Sequence, residues 1–291
     1  MKNIIIRLRE NIGFLNPAEK AVARYVLQYP HESNRLSVKA LAARSFVSPA
    51  AVVRMCKSIG FEGFKEFKTE LTRELATEKL ILPLDTKDIK QNDTPESIIK
   101  KITLKNIHSL YDALRLIDPE TIEKAVKLLQ ACDRILLFGL GASLIAAKDA
   151  NLKFLRVNKT CLINDDWHLQ LITARNSTSR DVGIVISYSG QTAETLTCAE
   201  ILKHNNTPII AITRCIESPI SKLADVLLYT TSNESLFRSA AMSSRISQLN
   251  IIDILYTAFA VSDYEKNFTY LSKTRIVKHI PKNEREGEHH V

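Results

Sequence analysis

The sequence predicts an α/β protein in two parts: an all-α N-terminal domain, then a parallel sheet with helices on both faces. Three observations carry this. Apolar residues recur at helical spacing through the first quarter of the chain, five short apolar runs alternate with helical segments after residue 118, and excess positive charge gathers at the N-terminus. Residues 1–74 hold 13 basic and 7 acidic side chains, whereas residues 119–265 hold 14 and 15. A basic module joined to a nearly neutral body points to a polyanion-binding head on a domain that binds something else.

Composition excludes several classes. A chain of 291 residues, 45% hydrophobic and 25% charged, is long enough for two folded domains and unlike a disordered protein. No run approaches the roughly 18 apolar residues of a membrane span, and Arg7, Arg9, Glu10 and Glu19 stand where a signal-peptide core would lie. A cytoplasmic location with no membrane partner is expected. Cys56, Cys132, Cys161, Cys198 and Cys215 show no CxxC or Cys/His spacing and read as reduced core thiols, with no disulfide frame and no metal site.

In the head, Asn16-Pro17-Ala18-Glu19 is a helix start in which Asn caps, Pro occupies the first turn and Glu19 reaches back to the cap. Ala18, Ala21, Val22, Tyr25, Val26 and Tyr29 then recur at helical spacing until Pro30. Ser37 caps a second, short helix with Val38, Leu41 and Ala42 inward and Lys39 and Arg44 outward. Ser45-Phe46-Val47 is the turn, and Ser48-Pro49 opens a third helix that reaches Ile59 and ends at Gly60. Val52, Met55 and Ile59 share its buried face, so Ala50, Val53, Arg54, Lys57 and Ser58 face outward. Two short helices about three turn residues apart, the second with a small and basic outer face, match the geometry that lays a helix in the DNA major groove. Ala50 and Val53 suit thymine methyl groups, Arg54 and Lys57 suit guanine edges or phosphates, and Ser48 stands at the start of the same helix. Lys65 and Lys68 reach either flanking phosphates or solvent.

The expected boundaries are a DNA-binding domain over 1–76, a polar, proline-punctuated linker over 77–95, a ligand-binding domain over 96–265 and a basic tail over 266–291. Thr94-Pro95-Glu96 starts a helix whose apolar face, Ile98, Ile102, Leu104, Ile107, Leu110 and Leu114, would pack on the next domain or on a second subunit. After a helix start at Asp118-Pro119-Glu120, strands are expected over 134–138, 160–163, 182–187, 208–213 and 226–229. Helices fall from about 144, near 167–174, over 192–205 and near 220. Sheets of this kind bind ligands at the carboxyl ends of their strands.

Two loops stand at those ends. Gly139-Leu140-Gly141-Ala142-Ser143 turns sharply out of a strand and presents N–H groups ahead of a helix. It is half of a dinucleotide fingerprint: the third glycine would fall at Leu144, while Asp165 keeps nicotinamide binding as an alternative. Ser187-Tyr188-Ser189-Gly190-Gln191-Thr192 gathers hydroxyls and backbone N–H groups at a helix start, which suits a phosphate. No P-loop lysine accompanies it, which favours a small phosphorylated metabolite over a nucleoside triphosphate, with no resident cofactor. An ordinary polar turn capped by Ser and Thr is the other reading.

Ser187 to Thr192 with Glu194, together with Gly139-x-Gly141-x-Ser143, resembles the sugar isomerase (SIS) domain, a parallel α/β fold that binds phosphosugars. Leu41-Ala42 through Val47-Ser48-Pro49-Ala50-Ala51-Val52-Val53-Arg54, ending Gly60-Phe61-Glu62-Gly63-Phe64, is similar to the helix-turn-helix of RpiR-type bacterial transcription regulators. One departure is Phe46, where the family often places glycine or another small residue. Residues 233–245, with Asn233, Glu234, Arg238 and Arg245, look like the branch that includes sensors of N-acetylmuramic acid 6-phosphate.

The resemblance implies a homodimer or homotetramer, a double-stranded DNA operator and a phosphorylated sugar effector. It implies that Ser143, Ser187, Ser189 and Thr192 hold the phosphate beside Gly141, with Gln191, Glu194 and Ser243 or Ser244 near the sugar. Related SIS domains isomerise or cleave phosphosugars with a positioned acid and base, for which Glu194, Glu234 and His168 are the available residues. Each has an ordinary explanation, and an attached DNA-binding module favours sensing over turnover. A phosphosugar isomerase or lyase is the alternative.

Overall fold

The computed structural model describes residues 3–77, 89–231 and 241–276. The head consists of α1 (Ile4–Asn11), α2 (Pro17–Gln28), α3 (Pro30–Arg35), α4 (Val38–Arg44), α5 (Pro49–Ser58) and α6 (Phe64–Thr77). Its helix starts are local. Asn16 Oδ1 accepts from Glu19 N at 3.0 Å while Asn16 Nδ2 donates to Glu19 Oε1 at 2.8 Å, and Ser37 and Ser48 accept from the N–H groups of Ala40 and Ala51. Pro30 both ends α2 and opens α3, because a first-turn proline forfeits no helical hydrogen bond. The face of α2 differs from the expected one: Glu19, Val22, Ala23 and Val26 are buried, whereas Tyr29 lies on the surface. Val22, Val26, Leu41, Val52, Met55, Phe67 and Leu71 form one apolar core under the head.

After α7 (Pro95–Leu116) and α8 (Pro119–Ala131), the second domain runs β1 (Arg134–Phe138), α9 (Ala142–Arg156), β2 (Thr160–Ile163), α10 (Trp167–Arg175), β3 (Asp181–Ile186) and α11 (Ala193–His204). It continues with β4 (Ile209–Arg214), α12 (Pro219–Leu223), β5 (Val226–Thr230), α13 (Met242–Ser262) and α14 (Tyr264–Lys273). The five strands are parallel in the order β2-β1-β3-β4-β5. Alternate side chains serve opposite layers. Ile135 and Leu137 enter a core with α8, α9 and α13, while Leu136 and Phe138 enter one with α10, α11 and α12. Among the described residues, no helix is long and apolar enough to cross a membrane.

Two helices carry features that the sequence reading did not give. On α7 the inward face is polar: Lys105, His108, Ser109 and Asp112 are buried, while Ile99 and Leu114 are 68% and 70% exposed. The polar side is drawn inward by partners, since Asp112 pairs with Arg9 of α1 and Asn106 with Ser243 of α13. The second difference is α13, a 21-residue helix that the periodicity did not announce. It buries Ser244, Ser247, Gln248, Ile251, Ile252, Leu255 and Phe259 between its neighbours, so no single apolar stripe marks it. Helix α14 carries regular structure past residue 265, and residues 277–291 lie outside the described ones.

One ion pair closes the bottom of the sheet. Asp181, at the start of β3, takes Arg134 Nε and Nη2 on its two oxygens, both at 2.7 Å, and also accepts from Thr178 N and Oγ1. Burial raises the Asp181 carboxyl, but the Arg134 guanidinium and the Thr178 donors outweigh that and hold it below the ordinary carboxylate value. A depressed carboxyl stabilises the fold above its unfolded value and loses that contribution as pH falls through the folded one. Asp181→Asn is therefore expected to cost about 2 kcal/mol at pH 7, since one partner of a mostly buried pair is lost. Urea denaturation at pH 7 and pH 3 checks this, with the gap between variant and parent narrowing at the lower pH.

Candidate effector pocket and DNA-reading helix

Strand order reverses between β1 and β3, and the crevice at that switch point is where a sheet of this order holds its ligand. Both loops singled out in the sequence open there. After β1, Gly139 lies so close to its surroundings that a Cβ would meet the Ser143 carbonyl at 3.1 Å and the Ile186 oxygen at 3.3 Å. Gly141 caps α9 at φ 55, ψ −123, a conformation open essentially to glycine alone. After β3, Gly190 donates to the Ser187 carbonyl at 3.0 Å and turns back at φ +63. Thr192 makes no side-chain cap to α11; its Oγ1 lies 3.2 Å from Ser187 Oγ instead.

The resulting cavity encloses about 230 Å³, a small-molecule scale. Seven hydroxyl-bearing side chains line it: Ser143, Ser187, Tyr188, Ser189, Thr192, Thr195 and Ser244. Gln248, two turns into α13, also lines it and donates from Nε2 to Ser143 Oγ at 3.2 Å. Thr195 Oγ1 and Gln248 Oε1 are buried at this wall without a hydrogen-bond partner among the described residues, a costly state that a ligand bearing both donors and acceptors relieves.

Of the residues named from sequence, the structure brings Ser143, Ser187, Ser189, Thr192 and Ser244 together around one cavity. It does not bring Gly141, Gln191, Glu194 or Ser243 to the lining. Gln191 donates its N–H to Ser189 Oγ, Glu194 is exposed on α11, and Ser243 turns to Asn106 Oδ1 at 3.4 Å. Gln248 and Thr195 were not singled out. The i+1 position of Thr195 after Glu194 carried a signal, since it lies on the first turn of the same helix; Gln248 carried none. A further positioning residue is Gln170 of α10, which is buried and clamps the first loop, accepting from Gly139 N and donating to the carbonyls of Gly139 and Asn164.

Of the acid–base candidates, Glu194 and His168 stand outside the lining, His168 exposed beside Asp166, and Glu234 falls outside the described residues. Asp165, the acid of the nicotinamide alternative, pairs with Lys148 on the surface. Cys56, Cys132, Cys198 and Cys215 are buried free thiols, and burial pushes Cys56 up to about 12 and Cys198 up to about 11.

In the head, Ala51, Val52, Met55 and Cys56 fix one face of α5 in the core, leaving Ser48, Ala50, Arg54 and Lys57 exposed and Val53 half-buried on the other. Arg54 Nε stands 3.8 Å from Glu19 Oε1, so the guanidinium is held along the helix surface. Phe46 occupies the turn at φ +55 with its side chain 96% exposed. A left-handed conformation costs a non-glycine residue roughly 1–2 kcal/mol, which is the physical reason for a small residue at this point.

Fold and sites define a regulator: a basic helix-turn-helix head that reads a nucleic acid, on a parallel α/β domain with a hydroxyl-lined cavity at its switch point. The models of known families agree, one for the helix-turn-helix domain of the rpiR family matching residues 2–78 and one for the SIS domain matching residues 128–258. The chain is 37% identical over 262 residues to the uncharacterized HTH-type transcriptional regulator YbbH of Bacillus subtilis, covering 90% of this chain and 92% of that protein. It is 32% identical over 287 residues to the HTH-type transcriptional regulator HexR of Pseudomonas aeruginosa, covering 98% and 99%. Among solved structures, the Vibrio vulnificus NanR protein complexed with ManNAc-6P is similar with a TM-score of 0.58 at 25% identity, over 94% of this chain and 96% of that one. The chain belongs to the rpiR family of helix-turn-helix transcriptional regulators and carries a SIS domain.

Gly190 tests the cavity's construction. A Cβ there would lie 2.1 Å from Ser218 Oγ and 2.6 Å from Ser218 Cβ, on a backbone that already disfavours side chains. Gly190→Ala is expected to lower stability by roughly 1–3 kcal/mol through overpacking and backbone strain, read as a fall in Tm on thermal denaturation.

Proposed function

We propose that the protein is a cytoplasmic transcriptional regulator whose affinity for a double-stranded DNA operator is set by a phosphorylated amino sugar in the switch-point cavity. The observation that carries this is the cavity's chemistry: hydroxyls from both loops, with Thr195 Oγ1 and Gln248 Oε1 buried and unsatisfied at its wall. A phosphate dianion accepts from the loop hydroxyls and the first N–H groups of α11, and the sugar's hydroxyls serve the remaining acceptors. Ser143, Ser187, Ser189 and Thr192 are assigned to the phosphate, with Ser244, Gln248 and Thr195 facing the sugar. N-acetylmuramic acid 6-phosphate is the proposed effector, from the resemblance of residues 233–245, and the ManNAc-6P in the NanR structure supports the amino-sugar class.

Sensing is favoured over turnover. Proton transfer needs an acid or base within hydrogen-bond reach of the reacting carbons; the reading as a sensor is supported by the relatives named HTH-type transcriptional regulators. The proposed assembly is a homodimer or homotetramer, supported by the apolar side chains that α7 and α9 turn to solvent, Ile99, Leu114, Leu152 and Leu155. Two heads on a two-fold axis then read half-sites about one helical turn apart.

Two experiments test the reading. In a thermal-shift comparison, N-acetylmuramic acid 6-phosphate and ManNAc-6P raise the Tm while unphosphorylated N-acetylmuramic acid does not, because a ligand that binds only the native state stabilises it. Ser187→Ala weakens that binding by roughly five-fold to a hundred-fold, the loss expected for one buried donor to a charged group; no Tm response to any phosphosugar removes the effector assignment. Separately, Arg54→Ala weakens binding to DNA from upstream of the protein's own gene in a gel shift and leaves the thermal response intact. Equal DNA affinity in variant and parent rejects α5 as the reading helix.

A further inference from the structure

The cavity and the reading helix are joined by a short series of contacts. Tyr188 sits in the second loop between Ser187 and Ser189, so whatever positions those two hydroxyls also positions its backbone. Its own hydroxyl leaves the cavity and donates to Glu10 Oε2 on α1 at 2.7 Å. Glu10 is buried, and the Arg214 guanidinium at the end of β4 lies 4.2 Å over the Phe14 ring and 5.8 Å over the Tyr188 ring, packing the same junction. Arg214 N also donates to the Tyr188 carbonyl at 3.0 Å, tying the loop to the sheet.

One turn back on α1, Arg7 Nη1 donates to the carbonyl of Ile59, the residue that caps the C-terminus of α5. The following Gly60 leaves no room for a side chain there, a Cβ meeting Arg7 Nη1 at 2.9 Å. The other end of α1 is anchored: Glu74 Oε2 accepts from Ile4 N at 2.6 Å, Arg115 pairs with Glu74 at 2.8 Å, and Asn3 Nδ2 donates to the Arg115 carbonyl. Helix α1 is therefore held at its N-terminus, with the effector loop on one side and the end of α5 on the other.

We infer that Tyr188 is the coupling residue between the two sites, and that occupancy of the cavity is transmitted through the Tyr188–Glu10 hydrogen bond to α1 and through Arg7 to α5. The inference deepens the regulation proposed above and rests on that reading. Ordering Ser187 and Ser189 around an anion changes the geometry or persistence of the Tyr188 bond, and α1 and α5 respond as one body. Because linkage is reciprocal, a head held by DNA alters the affinity of the cavity by the same factor.

The test uses the full chain and hydrogen exchange, in two arms. Without ligand, Tyr188→Phe keeps the ring and removes one hydrogen bond. Exchange at amides 4–11 and 50–60 is expected to rise about five-fold, the scale of one net hydrogen bond, while α8 is unmoved. Unchanged exchange in both segments overturns the relay. In the second arm, saturating ManNAc-6P or N-acetylmuramic acid 6-phosphate alters exchange over the same two segments in the parent. Glu10→Ala, which lies outside the cavity, still binds these probes by calorimetry but shows no such change. A Glu10→Ala response equal to the parent's, or a parent that binds without any response in α1, overturns the inference. If neither probe binds the parent, the effector assignment falls and the first arm still decides the relay.

Discussion

Parallel strands that diverge to left and right of one point leave a crevice, and among the described residues that line it here no side chain is charged. The described lining contributes hydroxyls and one glutamine, so the attraction for the phosphate proposed there is directional rather than coulombic. Directional donors work only if each is aimed. That requirement fits the tight backbone at Gly139 and Gly190, the Gln170 clamp on the first loop and the Ser244 and Gln248 side chains that α13 adds to the wall.

Polar burial is the recurring device outside the cavity as well. The inward side of α7 carries Lys105, His108, Ser109 and Asp112 against the head and α13, and the head meets the second domain through Arg9–Asp112, Arg115–Glu74 and Tyr188–Glu10. Such an interface costs desolvation and gains little net stability, but it has a definite register. A greasy contact tolerates sliding; a set of paired charges and hydroxyls has a few discrete arrangements, which suits a contact that reports on a ligand.

The helix-turn-helix and the sheet were legible because their signals are short in range. Asn16, Ser37, Ser48, Thr94 and Asp118 each cap a helix through a residue three positions on, and each observed strand start lies within one residue of its apolar run. The two glycine- and hydroxyl-rich loops were legible for the same reason: a strand that must turn at once into a helix shows the residues that allow it. Face assignment was less secure. On α7 the apolar side chains gave the helix, but not that its polar side would face the chain's own interior, where Arg9 and Ser243, far away in sequence, supply partners.

What the sequence alone determined is the parts and the local chemistry: two domains, five strands, a reading helix with Arg54 and Lys57 outward, and serines gathered at strand ends. What only the tertiary structure decided is company. Gln248 reaches Ser143 across 105 positions and Tyr188 reaches Glu10 across 178. Caps and periodicity are settled within one or two turns of chain, where a few residues carry the whole signal. Contacts over such separations depend on how every intervening element packs, and no short stretch of sequence contains that sum.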